Sequence, residues 1–280
     1  KSKEQAGWHG ICASDHLWVG DIPYPHVFVA ATQMACATEK TLITTSFANN
    51  LFRSPTEFAQ GALSLQVASN GRFEAGLGAG WLADEIVDTG REYPEPRARV
   101  SMYVEALTIV RELLQTGHCT FKGEFYNINM TGTPLDGVSD NPPPLIAAAG
   151  GPRAIRETTP LVDRIEIKAN ARATRVGHLD FKILGSVTED EVKTNIARAQ
   201  AVREDIPIGV FILVGAGQGN HVKGLKGAFG DGFLSRFVGE PESVAQALHD
   251  LEGLGISRIQ VTELLPGSHE ALEPHLNLGE

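Results

Sequence analysis

Short apolar runs alternate along this chain with longer stretches in which apolar residues return every three or four positions. The runs are GICAS (10–14), TLITTSF (41–47), RFEAGLG (72–78), PLIAAA (144–149), DRIEIKA (163–169), IPIGVFILVG (206–215) and SRIQVTE (257–263). Their length and β-branched content predict seven strands. Between them, residues 25–39, 54–71, 97–117, 152–162, about 189–204 and about 241–253 carry helical spacing. The signals at the helix ends agree: Ser54 caps, Pro55 opens the first turn, Glu57 follows three residues after the cap, and Gly71 and Gly117 close their helices. Strand after helix at this length predicts an α/β fold with a parallel sheet.

One segment breaks the rhythm. In HCTFKGEFYNINMTGTPLDGVSDNPPP (118–144) the core CTFKGEFYNI predicts a hairpin turning at Lys122-Gly123, and the Gly, Asp and Pro that follow predict irregular loop. It is an insertion over one rim of the sheet. No repeat, low-complexity tract or long linker divides the chain, so residues 1–280 are expected to form a single domain.

Composition narrows the class of function. A net charge of −10 excludes a broad phosphate-tracking face, so nucleic acid is not an expected partner. Cys12, Cys36 and Cys119 are too sparse and too far apart for a disulfide framework or a zinc motif, which suits a reducing compartment. No apolar run approaches the length of a membrane span and no leader opens the sequence, so a cytoplasmic location and no membrane partner are expected.

The stretch GRFEAGLGAGWLADE (71–85) contains Gly78-x-Gly80-x-x-Ala83, the spacing of a dinucleotide-binding turn. Such a turn needs a helix, a second strand and an acidic residue about 20 positions on. Here that region is PEPRARVSMYVEAL, a proline-punctuated approach to a helix, and the strand involved is the third of the series. The fingerprint fails in context. Gly76, Gly78 and Gly80 instead read as places where another backbone, or a flat ligand, comes close.

The residues just past each strand point to a (β/α)8 barrel. Asp15-His16, Ser46 to Asn50, Gly80-Trp81, Gly150-Gly151, Lys168 to Asn170, Gly215 and Glu263 all fall at predicted carboxyl ends, which in such a barrel converge on one active face. AAAGGPRAIRE (147–157) is the clearest anion site: two glycines lead into a helix that opens at Pro152, with Arg153 able to add charge. From 153 to 182, seven basic residues stand against four acidic ones, a net of +3 within an acidic chain, which suits an anionic ligand. A histidine such as His16 at a strand end can exchange protons near neutral pH; His9, His26 and His118 have no such setting.

The blocks GWHGICASDHLW, SPTEFAQGALSLQVASNGRFEAGLGAGWLADE, PPPLIAAAGGPRAIRE and FVGEPESVAQALHDLEGLGISRIQVTE, in this order, resemble the luciferase-like monooxygenase superfamily of TIM barrels, and within it the actinobacterial branch that uses the deazaflavin coenzyme F420. The resemblance implies a single luciferase-like TIM-barrel domain and an oxidoreductase that moves a hydride between F420 and a small organic substrate. It assigns proton handling to His16 beside Asp15. The cofactor ring falls to Ser46, Phe47, Asn49, Gly78, Ala79, Gly80 and Trp81, with a non-proline cis peptide at Ser46-Phe47. The phosphate falls to Gly150, Gly151, Pro152 and Arg153. The basic segment would then suit the anionic tail of F420, and a homodimer is the implied assembly.

Two departures stand beside these matches. The first strand of the family would precede KSKEQAGWHG and is not in the sequence, so seven strands are expected. Trp81 stands where sugar-phosphate dehydrogenases of the family place a glutamate, which leaves the substrate open; Glu85, one helical turn on, offers a proton donor or, as the favoured reading, a solvated helix carboxylate. Two rival readings keep the fold: an FMN-dependent monooxygenase, and a non-catalytic cofactor-binding barrel or partner subunit. A metal-dependent hydrolase is disfavoured, because the first strand-end pair lacks His-x-His spacing, and no metal is expected.

Overall fold

The computed structural model describes residues 1–168, 171–175 and 177–279, so Ala169 and Asn170 of the strand-end series lie outside the described residues. The chain divides into two compact units, one of residues 1–148 and 157–163 and the other of residues 149–156 and 164–280.

In the first unit, a short helix α1 (Ser2–Gln5) precedes β1 (Gly10–Ala13), a small hairpin of β2 (Trp18–Val19) and β3 (Ile22–Pro23), α2 (Val27–Ala37), β4 (Leu42–Thr45) and β5 (Ala48–Asn49). Then come α3 (Pro55–Ala68), β6 (Phe73–Gly78), α4 (Ala83–Val87), α5 (Pro96–Thr116), the hairpin strands β7 (Cys119–Lys122) and β8 (Asn127–Met130), and all but the last residue of β9 (Leu145–Ala149). The parallel sheet runs β1-β4-β6-β9, with β5 also on β6. All six residues of β6 are buried, as a strand covered on both faces requires.

Local chemistry explains the helices. Ser54 accepts a hydrogen bond from the Glu57 amide at 3.2 Å and Pro55 occupies the first turn of α3. Gly117, with φ of +73°, ends α5 in the left-handed conformation that glycine adopts without strain. Arg111 of α5 adds an ion pair to Asp163 at 3.0 Å, and Asp163 in turn accepts the Leu145 amide at the start of β9. The Tyr103 hydroxyl, wholly buried, donates to the Leu77 carbonyl and accepts from the Ala148 amide, pinning the ends of β6 and β9 to α5. Burial pushes its phenol well above the ordinary value, so it remains a donor throughout the working range.

The second unit contains the start of α6 (Pro152–Thr158), then β10 (Arg164–Ile167), α7 (Phe181–Gly185), α8 (Glu189–Gln200), β11 (Ile208–Ala216), α9 (Asn220–Ala228), β12 (Val238–Gly239), α10 (Pro241–His249), β13 (Arg258–Glu263) and α11 (Ser268–Leu272). Within it β10, β12 and β13 each pair in parallel with β11. A capping box at Thr188 and Glu191 starts α8.

All seven predicted strands and all six predicted helices are present. Three strand-level features differ. The β2–β3 hairpin, β5 and β12 have two residues each, too few to show a period. The hairpin in the insertion turns through Gly123–Tyr126 rather than at Lys122-Gly123, because the Glu105 carboxylate collects the amides of Glu124, Phe125 and Tyr126 at 2.7, 3.0 and 3.1 Å. The predicted helix over 152–162 gives way after Thr158 to a 3-10 turn at Thr159–Leu161.

Candidate active site

Asp15 and His16 follow β1 directly, and their side chains go to different partners. Asp15 is 5% exposed. Its carboxylate accepts the Asn49 amide at 2.6 Å and both terminal nitrogens of Arg53, one of them at 3.1 Å. Arg53 is equally buried and lies 5.5 Å from the centre of the Phe28 ring. This charge-assisted fork ties the end of β1 to the loop after β5. Asp15, expected beside His16 as a catalytic group, is therefore held by a backbone amide and a guanidinium.

His16 keeps a side-chain exposure of 17%. Its Nδ1 lies 2.8 Å from Oε1 and 3.2 Å from Oε2 of Glu85, whose side chain is fully buried. The Leu17 amide donates to the same Oε1 at 3.2 Å. Two aromatic rings approach the imidazole edge-on, Tyr24 at 5.5 Å and Trp81 at 5.6 Å. Trp81 is steadied by the Tyr93 hydroxyl, which donates to its carbonyl at 2.9 Å. Burial raises the Tyr93 phenol, against the pull of Arg99, and preserves that donor. The solvated carboxylate expected at Glu85 is corrected here: α4 turns this side chain inward, and the imidazole with the Leu17 amide satisfies it.

The glycines of β6 serve the backbone. A Cβ on Gly76 would fall 1.9 Å from the Thr45 carbonyl oxygen, and one on Gly78 would lie 3.1 Å from the Phe47 Cβ. The Thr45 hydroxyl binds both the Gly76 carbonyl, at 2.7 Å, and the Gly76 amide, at 3.0 Å. The Ser46–Phe47 peptide that enters this space is cis. Gly80, with φ of +79°, leaves room for the Asn49 Oδ1, which accepts the Leu51 amide at 2.9 Å. Of the uses expected for these glycines, close backbone approach is seen at Gly76, while Gly78 makes room for the Phe47 side chain. Ala79 carries the chain between them and Trp81.

The structure thus brings Asp15, His16, Ser46, Phe47, Asn49, Gly78, Gly80 and Trp81 to one set of strand ends. Sequence reading missed Arg53 and Tyr24 and gave Glu85 the wrong environment. Its signal was the spacing of four residues from Trp81. Beside this cluster a cleft of about 480 Å³ opens between the loop after β5 and α5, lined among others by Asn50, Arg53, Glu57, Arg91, Met102 and Tyr126. The Asn50 amide donates to the Tyr126 hydroxyl at 3.3 Å, joining the insertion hairpin to that loop.

The anion-site candidates lie in the second unit. Gly150 packs on Lys168, whose Cβ would be 2.9 Å from an added Cβ, whereas one on Gly151 would find only Ala171, at 3.9 Å. The Gly150 carbonyl accepts from the Asn195 amide at 3.4 Å, and the Gly151 carbonyl receives the Ile155 amide as α6 begins at Pro152, with Arg153 next. Lys168 lies 4.0 Å from the centre of the Phe211 ring, and Arg172 pairs with Glu191 at 2.8 Å.

Residues 1–177 match the family model described as luciferase-like monooxygenase. A curated relative from Amycolatopsis mediterranei, named F420-dependent glucose-6-phosphate dehydrogenase, is 32% identical over 155 residues, covering 53% of this chain and 45% of its own length. One from Microbacterium testaceum with the same name is 31% identical over 55% of this chain and 46% of its own. The chain thus spans about half the length of the curated relatives it matches. Among solved structures, an F420-dependent secondary alcohol dehydrogenase in complex with an F420-acetone adduct matches with a TM-score of 0.76 at 19% identity, over 99% of this chain and 92% of that one. The coenzyme F420-dependent tetrahydromethanopterin reductase of Methanopyrus kandleri matches with a TM-score of 0.70 at 15% identity, over 98% and 90%. These likenesses show the fold, an α/β barrel of the luciferase-like TIM type.

Proposed function

The chain belongs to the luciferase-like monooxygenase family, and from that premise we propose that it is an oxidoreductase that uses coenzyme F420 to move a hydride to or from a small organic substrate. The observation that carries this reading is His16 at the end of β1, held through Nδ1 by a buried carboxylate and flanked by Tyr24 and Trp81. Among the described residues no hydrogen bond engages its Nε2. Relatives named for F420-dependent dehydrogenation support the choice of cofactor.

The residues present suit such a cofactor. The strand ends around Ser46, Phe47, Asn49 and Gly78 to Trp81 offer backbone and an aromatic wall where a planar ring can lie. In the second unit, Gly150 to Arg153 remain the candidates for a phosphate; a Cβ on Gly151 would find only Ala171, at 3.9 Å. When bound, F420 supplies or receives the hydride. The rest belongs to the chain. In the oxidising direction, the hydride leaves the substrate carbon with its electron pair, the hydroxyl proton passes to His16 Nε2, and a carbonyl forms; reduction runs the reverse. Tyr24 and Trp81 wall the imidazole edge-on and shape an apolar approach to it.

The test is a fluorescence titration of the purified protein with F420 and, separately, with FMN, followed by turnover assays with isopropanol and with glucose 6-phosphate. Tight binding of F420 with turnover of one class supports the reading. Preference for FMN replaces it with flavin-dependent monooxygenation, and binding without turnover of any substrate across a wider panel points to a non-catalytic carrier.

A further inference from the structure

We infer that Glu85 is a positioning residue for His16: its buried carboxylate takes the Nδ1 proton, leaving Nε2 as the ring atom that exchanges a proton with the substrate. The inference rests on the hydride-transfer reading for its role in turnover, and on geometry alone for the tautomer.

A fully buried carboxylate is costly unless its oxygens are satisfied. Among the described residues, the Glu85 carboxylate has two partners, the His16 Nδ1 at 2.8 Å and the main-chain amide of Leu17 at 3.2 Å. The amide is a permanent donor. A carboxylate accepts and cannot donate, so the imidazole must present a protonated Nδ1 to it. That fixes the tautomer of the neutral ring and directs its lone pair to Nε2, as carboxylates do when they orient other histidines.

The other nearby carboxylate cannot serve. Asp15 precedes His16 in sequence, but its oxygens are taken by Arg53 and the Asn49 amide. The ring itself has little freedom, with Tyr24 and Trp81 at 5.5 and 5.6 Å and the carboxylate gripping Nδ1 through both oxygens.

This arrangement sets the route of the proton. When Nε2 takes a proton from a substrate hydroxyl, the ring becomes a cation, and Glu85 is the buried negative charge hydrogen-bonded to it. The proton then leaves from Nε2 to solvent or product, while Nδ1–H stays on Glu85 throughout. No net proton reaches the carboxylate.

The experiment uses the cofactor-free protein labelled with 15N-histidine, whose imidazole shifts report the tautomer of His16 at about pH 9, where a typical imidazole is neutral; Glu85→Gln, Glu85→Asp and His16→Gln are compared, the last assigning the signal. Wild type is expected to show Nδ1–H, and Glu85→Gln to shift population towards Nε2–H. In the F420-loaded protein, Glu85→Gln should lower kcat by about 10²- to 10⁴-fold, the scale of losing an orienting carboxylate, with KM within about twofold and F420 affinity unchanged; Glu85→Asp should recover part of the loss. An Nε2–H tautomer in wild type overturns the inference even where a variant fails to fold. So does a kcat that Glu85→Gln leaves unchanged. Failure of F420 to bind overturns the proposed function and leaves the tautomer result standing, so the two failures are distinct.

Discussion

Asp15 and Glu85 are both buried carboxylates near the end of β1, and their partners separate their work. Asp15 faces a guanidinium with the same 5% exposure. Removing its charge would strand Arg53 in a site with little water, so Asp15→Asn should destabilise the protein by about 3–5 kcal/mol, the range for breaking a buried pair. Urea unfolding checks this; a loss under about 1 kcal/mol would mean the pair behaves as a surface bridge. His16 and Asp15 were legible in the sequence because a polar pair closing an apolar strand belongs on the active face. Arg53 was not, since an arginine just ahead of a helix cap reads as surface, and only the fold brings it beneath Asp15. For Glu85 the residue was legible and its surroundings were not: nothing in ADEIV says which face of so short a helix turns inward.

At the scale of elements, long periodic segments were predicted well because burial dictates their pattern, as in β6 and α5. Elements held by single polar side chains were not. Glu105 shapes the β7–β8 turn from 19 to 21 residues away in sequence, and no local signal encodes that. Glu4 of α1 does the same for the connection between α2 and β4. Its Oε1 accepts the amides of Glu39, Lys40 and Thr41 at 2.8, 2.6 and 3.0 Å. Those bonds, the Lys40 amide foremost, hold its carboxyl down from 4.5 to about 2. A depressed folded value means that the stabilisation is fully present above about 4.5 and is lost as pH falls towards about 2. Glu4→Gln should therefore be less stable than wild type at neutral pH, with the gap closing across that acid window. Thermal melts at stepped pH read it out, and a gap that stays constant down to the lower limit would refute the assignment.

For the molecule as a whole, seven strands and their order along the chain were legible, and so was the family. No linker accompanies the division into two compact units, which falls within β9, within α6 and just ahead of β10. Charge acts at this scale. The chain carries −10, yet residues 153–182 carry a net +3. If this segment receives the anionic tail of F420, Arg175→Gln with Lys182→Gln should weaken F420 by about threefold per charge removed, the effect of a partly screened ion pair, and leave FMN unchanged. Equal losses for both cofactors would mean that the tail does not lie on this segment.

Gly76 bears on how such a molecule can change over generations. With the Thr45 carbonyl 1.9 Å from where any side chain would begin, single replacements there are closed. An altered residue at 76 becomes viable only after the neighbouring strand has been rewritten to make room. Gly227, with nothing within 4 Å, is open to drift. Substitution is therefore sterically blocked at the first position and unhindered at the second.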